Sequence, residues 1–307
     1  MSGPLDAADA AADPTATTVA PPVLEITDGR EATVGATKVR RVLPRRNRRT
    51  VGAWCFTDHF GPEEITETAG LDIGPHPHIG LHTVTWLLDG AMLHRDSLGS
   101  EQVIRPGQLN LMTAGEGIAH AEEHVPTYRG RMHGVQLWVA QPESTRHGAP
   151  EFAHHPELPR AEIGGAVATV LVGELAGVVS PARHDTELVG ADLAITPGAT
   201  TWPLRQDFEH AIVVLDGEVA IGDDVVRPGQ LGYLGRGRDS LDLAALEPSR
   251  VLLLGGVPFE EPIVMWWNFV ARTKEELARA RTQWSTYDER FGEVASTLAR
   301  VDAPPAL

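Results

Sequence analysis

The feature that most limits the fold is a set of turn signals that occurs twice. Leu87-Leu88-Asp89-Gly90, followed by Arg105-Pro106-Gly107-Gln108, returns as Val214-Leu215-Asp216-Gly217, followed by Arg227-Pro228-Gly229-Gln230. The offset of about 125 residues is close to the length of a domain, so two copies of one unit in tandem are expected. Between these markers, short apolar runs are broken by glycine or proline every 8 to 12 residues, the rhythm of short strands and tight turns. The run His82–Leu88 ends at Asp89-Gly90, a strong hairpin signal. The fold class predicted is therefore all-β, with two tandem β-barrels. Residues 1–22, rich in Ala, Asp, Thr and Pro, read as a disordered tail. Residues 23–147 read as the first barrel and 148–307 as the second, joined near 141–160, where Pro142, Pro150, Pro156 and Pro159 interrupt regular structure. One helix is expected at 273–285: Thr273-Lys274-Glu275-Glu276 is a capping box, and Leu277, Ala280 and Trp284 follow at helical spacing. Its position at the end of an all-β chain predicts packing across the domain seam. The apolar stretch Ile263–Phe269 just before it reads as core.

A net charge of −16 excludes general nucleic-acid binding, which needs a basic surface. The basic run Lys38, Arg40, Arg41, Arg45, Arg46, Arg48 and Arg49 goes against that trend. It reads as a solvated strand edge, where positive charge blocks aggregation. Cys55 is the single cysteine, so no intrachain disulfide can form. No apolar run is long enough to span a bilayer, and residues 1–22 lack the basic and apolar regions of a secretory signal. The expectation is a soluble cytoplasmic protein.

Eight of the thirteen histidines fall between His59 and His133, which points to one place for any histidine chemistry. His76-Pro77-His78 and His120-Ala121-Glu122 both have spacing i, i+2, which on a strand puts two side chains on one face. Two neighbouring strands of this kind could surround one metal ion with three imidazoles and a carboxylate. Such a donor set without thiolate suits iron, manganese, nickel, copper or zinc. Val84, Trp86 and Leu88 share parity with His76, His78 and His82, which would turn all three histidines the same way as core side chains unless Gly80 introduces a bulge. In the second copy the matching places are Pro203, Arg205 and Glu209, so the histidines are an addition to the scaffold of the first copy alone. His94 and Asp96 read as strand-stabilising hydrogen bonders, and His124 as lying where its strand ends. His59 with Asp58 reads as orienting a loop or supporting a ligand.

An ordered series of motifs resembles the cupin superfamily and, more closely, the pirin family. It comprises Asp58-His59-Phe60-Gly61-Pro62, Pro75-His76-Pro77-His78-Ile79-Gly80, His94-Arg95-Asp96-Ser97, Met112–Glu122 and Glu261-Pro262-Ile263-Val264. The resemblance covers most of the chain after residue 23. It implies two cupin-type barrels face to face and one mononuclear metal in the first, held by His76, His78, His120 and Glu122. Iron(II) leads the candidates, with manganese, nickel, copper, cobalt or zinc as alternatives. The chain departs from the family at His82, where an acidic residue is common, and at Asn110. Some pirins are similar to quercetinases, which implies a metal-dependent dioxygenase acting on a flavonol-like or enol/phenol substrate. In that reading Glu122 is ligand and proton acceptor, and His82 hydrogen-bonds water or substrate. Other pirins resemble non-catalytic regulators, which implies a metal- or redox-sensing protein that binds a transcription factor or metabolic enzyme. The expected partners are thus a small aromatic molecule or a protein, with no nucleic acid, no membrane and a monomeric state.

Overall fold

The computed structural model describes residues 24–35, 37–66 and 72–305; the expected tail at 1–22 lies outside them. The strands of the first repeat and its flanks are β1 (Glu25–Asp28), β2 (Arg30–Val34), β3 (Thr37–Leu43), β4 (Trp54–Ile65), β5 (Ile73–His78) and β6 (Leu81–Asp89). They continue with β7 (Met92–Asp96), β8 (Glu101–Ile104), β9 (Leu109–Thr113), β10 (Ile118–His124), β11 (Gly130–Ala140) and β12 (Glu151–His155). The first barrel closes from a seven-stranded sheet, β12-β9-β6-β11-β4-β3-β2, and a four-stranded sheet, β5-β10-β7-β8, both antiparallel. The second repeat builds the same pair: an eight-stranded sheet and a four-stranded one.

The repeated turn signals mark corners between sheets. β6 and β7 do not pair with each other, so Asp89-Gly90 passes the chain from the large sheet to the small one, and Asp216-Gly217 does the same in the second unit. The hairpin expected at Asp89-Gly90 is therefore a corner, with Gly90 at φ 109°. The return is made by Arg-Pro-Gly-Gln. In both copies the Gln N–H donates to the Arg carbonyl, 3.1 Å at Gln108 and 3.0 Å at Gln230, while the Gln side-chain oxygen accepts from the Arg N–H.

The two large sheets pack face to face. Trp54, Val84, Trp86, Leu111 and Leu137 from the first meet Leu171, Leu188, Val213 and Leu252 from the second in one buried core. Trp54 is fully buried, and its Nε1–H lies 3.0 Å from the Val189 carbonyl; its ring occupies the space a Cβ on Gly190 would take. Truncating a tryptophan at such a place costs on the order of 3–5 kcal/mol. The barrels also exchange strands: β1 pairs with Gln230–Gly235 of the second unit, and β12 with β9 of the first. The boundary expected at 147/148 therefore does not follow the sheets, and the proline-rich join contains a strand.

The helix α1 (Lys274–Ser285) starts where the capping box places it, with the Thr273 hydroxyl accepting from the Glu276 N–H at 3.1 Å. Leu277, Ala280 and Trp284 form its buried face, as their spacing predicts. Its partners differ from the expectation. Instead of the seam, it covers the small sheet of the first barrel through Ile79, Ala119, Phe269 and Phe291. The hairpin Val264–Trp266/Phe269–Ala271 lies between helix and barrel, so part of the stretch read as core reaches the site described next. The basic run is not an edge either, because β2 flanks β3. Arg41 turns into the barrel to Asp58, while Arg40 donates to the Pro228 carbonyl and Arg48 stacks on Tyr233, both in the second unit.

Candidate metal centre

A cavity of about 470 Å³ opens inside the first barrel, with His76, His78, His120 and Glu122 on one wall. β5 and β10 pair so that His120 faces His76 directly, which is how two i, i+2 pairs become one cluster. Ligand atoms of His76, His78 and His120 all lie within 4.8 Å of one another, and this is the single such group among the described residues.

Hydrogen bonds fix the tautomers. His76 Nδ1 lies 2.9 Å from the Gly74 carbonyl and His78 Nδ1 3.0 Å from the Asn268 carbonyl. A carbonyl can only accept, so each Nδ1 carries the proton and each Nε2 keeps a lone pair. For His120 the same result comes through a relay. His94 Nε2 lies 2.9 Å from the Asp96 carboxylate and so carries the proton; His94 Nδ1 is then the acceptor for His120 Nδ1, 3.4 Å away. The Nε2 atoms of His78 and His120 are 3.0 Å apart. Two lone pairs at that distance repel unless a cation lies against both, so the donor set fits a metal ion. Burial, followed by the neighbouring imidazoles, holds His78 and His120 well below the ordinary histidine pKa, and burial brings His76 down to about 4. All three are therefore neutral, as ligation requires.

Glu122 is buried on the same wall but outside the 4.8 Å group. A register shift between His120 and Glu122 separates it from the triad. Burial pushes its carboxyl up to about 7, and it has no hydrogen-bonding partner among the described residues. The carboxyl is free to approach a cation or a ligand.

The two halves of the chain match known domains: residues 36–139 the Pirin domain and residues 190–292 the Pirin C-terminal cupin domain. The chain belongs to the pirin family. It is 50% identical over 273 residues to a Pseudomonas aeruginosa protein named as a candidate quercetin 2,3-dioxygenase, covering 88% of this chain and 86% of that one. A pirin-like protein of Caulobacter vibrioides is 38% identical over 264 residues, covering 84% of this chain and 91% of its own. A crystal structure of quercetin 2,3-dioxygenase from Acinetobacter baumannii superposes with a TM-score of 0.89 at 45% identity, over 92% of this chain and 95% of that one.

In this pirin, His82 does not belong to the site. Gly80 adopts φ 67° between β5 and β6 and breaks the parity that would have aligned the three histidines. Even-numbered residues of β6 consequently face the seam. His82 Nδ1 bonds Thr113 Oγ1 at 2.9 Å, and its Nε2 bonds Asp185 of the second unit at 3.1 Å. Its expected catalytic role is withdrawn on that geometry. Glu209, at the matching place in the second copy, likewise holds the seam, accepting from the Gly52 N–H at 2.7 Å and the Tyr233 hydroxyl at 2.8 Å. Arg205 pairs with Glu187 and Asp207. His124 accepts from Arg129 and stands apart from the triad. His59 pairs with His133 across 2.7 Å, and Asp58 pairs with Arg41, so neither supports a metal-ligating histidine. Sequence reasoning missed the part played by His94 and Asp96, whose i, i+2 spacing did signal a shared face. It also missed Asn268, which acts through its carbonyl and leaves no mark in residue type. Among the described residues, no helix is long and apolar enough to cross a membrane.

Proposed function

We propose that this pirin is a metal-dependent dioxygenase of quercetinase type, acting on a flavonol-like or enol/phenol substrate with iron(II) held by His76, His78 and His120. The observation that carries this reading is that the triad opens onto a ligand-sized, largely apolar cavity walled by Phe56, Phe60, Trp138 and Trp267. A closed structural site would present no such space. The names of the Pseudomonas and Acinetobacter relatives support the substrate class. A divalent metal in the triad would supply Lewis acidity toward a substrate hydroxyl and, as iron, reactivity toward dioxygen. The protein's own contributions follow from its side chains. Glu122, raised to about 7, is matched to take a hydroxyl proton near neutral pH at a carboxylate oxygen, and its lack of other partners lets it serve as a fourth ligand in turn. The aromatic walls bind a flat ring and exclude water.

The test is aerobic incubation of iron-loaded protein with a panel of flavonols, following dioxygen consumption and flavonol absorbance together. Stoichiometric loss of both, absent in His120→Ala, is the expected result. Absence of turnover for every flavonol with iron, manganese and nickel alike would overturn the reading.

A further inference from the structure

The wall of the barrel opposite the triad carries polar residues where a barrel interior would ordinarily be apolar. They form a row across six neighbouring strands, each in register with the next: Arg41 on β3 faces Asp58 on β4, Asp58 faces Gln136 on β11, and Gln136 faces Thr85 on β6. Thr85 faces Asn110 on β9, and Asn110 faces His154 on β12. Burying so many polar groups is unfavourable unless they are hydrogen-bonded. Most are: Arg41 makes two 2.7 Å bonds to Asp58, the Thr85 hydroxyl donates to Gln136 Oε1 at 2.9 Å, and His154 Nδ1 lies 2.7 Å from Asn110 Oδ1.

One junction at the cavity is open. No hydrogen bond joins Asp58 to Gln136 among the described residues, and there the cavity meets the row, touching Arg41, Asp58 and Gln136 but not Thr85, Asn110 or His154. With Oε1 committed to Thr85, the Gln136 amide has N–H donors to spare on one side of the gap. Asp58 keeps acceptor lone pairs on the other. A hydroxyl placed between them would accept from Gln136 and donate to Asp58; neither an ether nor an ammonium group satisfies both. An aromatic track links this gap to the triad: Trp138 packs edge-on against His78 at 5.2 Å and stacks on Phe56 at 4.0 Å, and the Arg41 guanidinium lies 4.4 Å from the Phe56 ring.

We infer that the Asp58–Gln136 gap is a second recognition point, selecting flat aromatic ligands that carry a hydroxyl on the ring remote from the metal. The inference rests on the triad and cavity binding a flavonol-like molecule, and it adds which members of that class are preferred. The redox-silent zinc-loaded protein allows binding to be measured without turnover. Its affinity for 3-hydroxyflavone is compared by calorimetry with that for analogues hydroxylated once on either outer ring. One hydroxylated analogue is expected to bind about tenfold tighter in the parent, the scale of one well-made polar contact. That preference should fall to near unity in Gln136→Met and in Asp58→Asn, both checked for parental zinc content and thermal unfolding. Equal affinity for all analogues in the parent, or a preference that survives both substitutions, overturns the second recognition point and leaves the dioxygenase reading standing. Failure of the parent to bind any of the flavonols overturns both.

Discussion

His120→Ala and His78→Ala are expected to lose the tightly bound metal and keep the fold. Each removes one of three Nε2 donors that the surrounding hydrogen bonds aim at a common point, and the remaining pair cannot enclose a cation. Losing a supporting group alone typically weakens metal binding 10- to 100-fold, so loss of a direct donor should exceed about 100-fold. The fold does not depend on the metal, because the seam and the second barrel's interior are extended apolar cores and two further apolar clusters flank the cavity of the first barrel. After anaerobic loading and passage over a chelating column, the parent should retain about one metal per chain and the two variants almost none, with unchanged strand content by circular dichroism. Full occupancy in either variant would remove that residue from the site.

Acid should destabilise the metal-free protein, with the steepest loss between about pH 6.5 and 4. Burial lowers His76 and His210 to about 4 and His59 to about 3, and takes His78 and His120 well below 6.5. Below pH 6.5 the unfolded chain therefore binds more protons than the folded one, so stability falls with pH, and the loss is complete once the folded-state values are passed. His76 alone represents on the order of 3 kcal/mol at about 1.4 kcal/mol per pH unit. Glu122 acts in the opposite sense: raised to about 7, it favours the folded state below neutrality. Asp58, also raised by burial, acts with Glu122, but two carboxyls do not offset five histidines, and Asp185 adds a further loss only below about pH 4. Although burial raises the Asp185 carboxyl, hydrogen bonds from His82, Thr145 and Gln141 outweigh it and hold it well below the usual range. Urea midpoints measured in chelator should fall steadily from pH 7 to 4; a flat profile would contradict the buried neutral histidines.

The sequence made the architecture legible because repeats, turn residues and capping boxes act locally. Asp89-Gly90 and Arg105–Gln108 are local signals, and they located both barrels, although they could not say whether the chain turned back within a sheet or crossed to another. His76, His78 and His120 were legible because strand periodicity preserves their shared face on β5 and β10. That periodicity failed for His82, since one left-handed glycine, Gly80, separates it from His78. Long-range features left no trace. The exchange of β1 and β12, the Asn268 carbonyl behind His78 and the register that aligns Asp58 with Gln136 are set by pairing between distant segments. The arginine run was misread for the same reason, because Arg41 has its partner inside the barrel.

The most direct test of the central claim is anomalous diffraction at the iron edge from crystals of iron-loaded protein. One peak per chain is expected, in contact with the Nε2 atoms of His76, His78 and His120 and facing the cavity that Glu122 and Trp138 line. A peak placed elsewhere, for example at the His59–His133 pair, or no peak in fully loaded protein, would contradict the account.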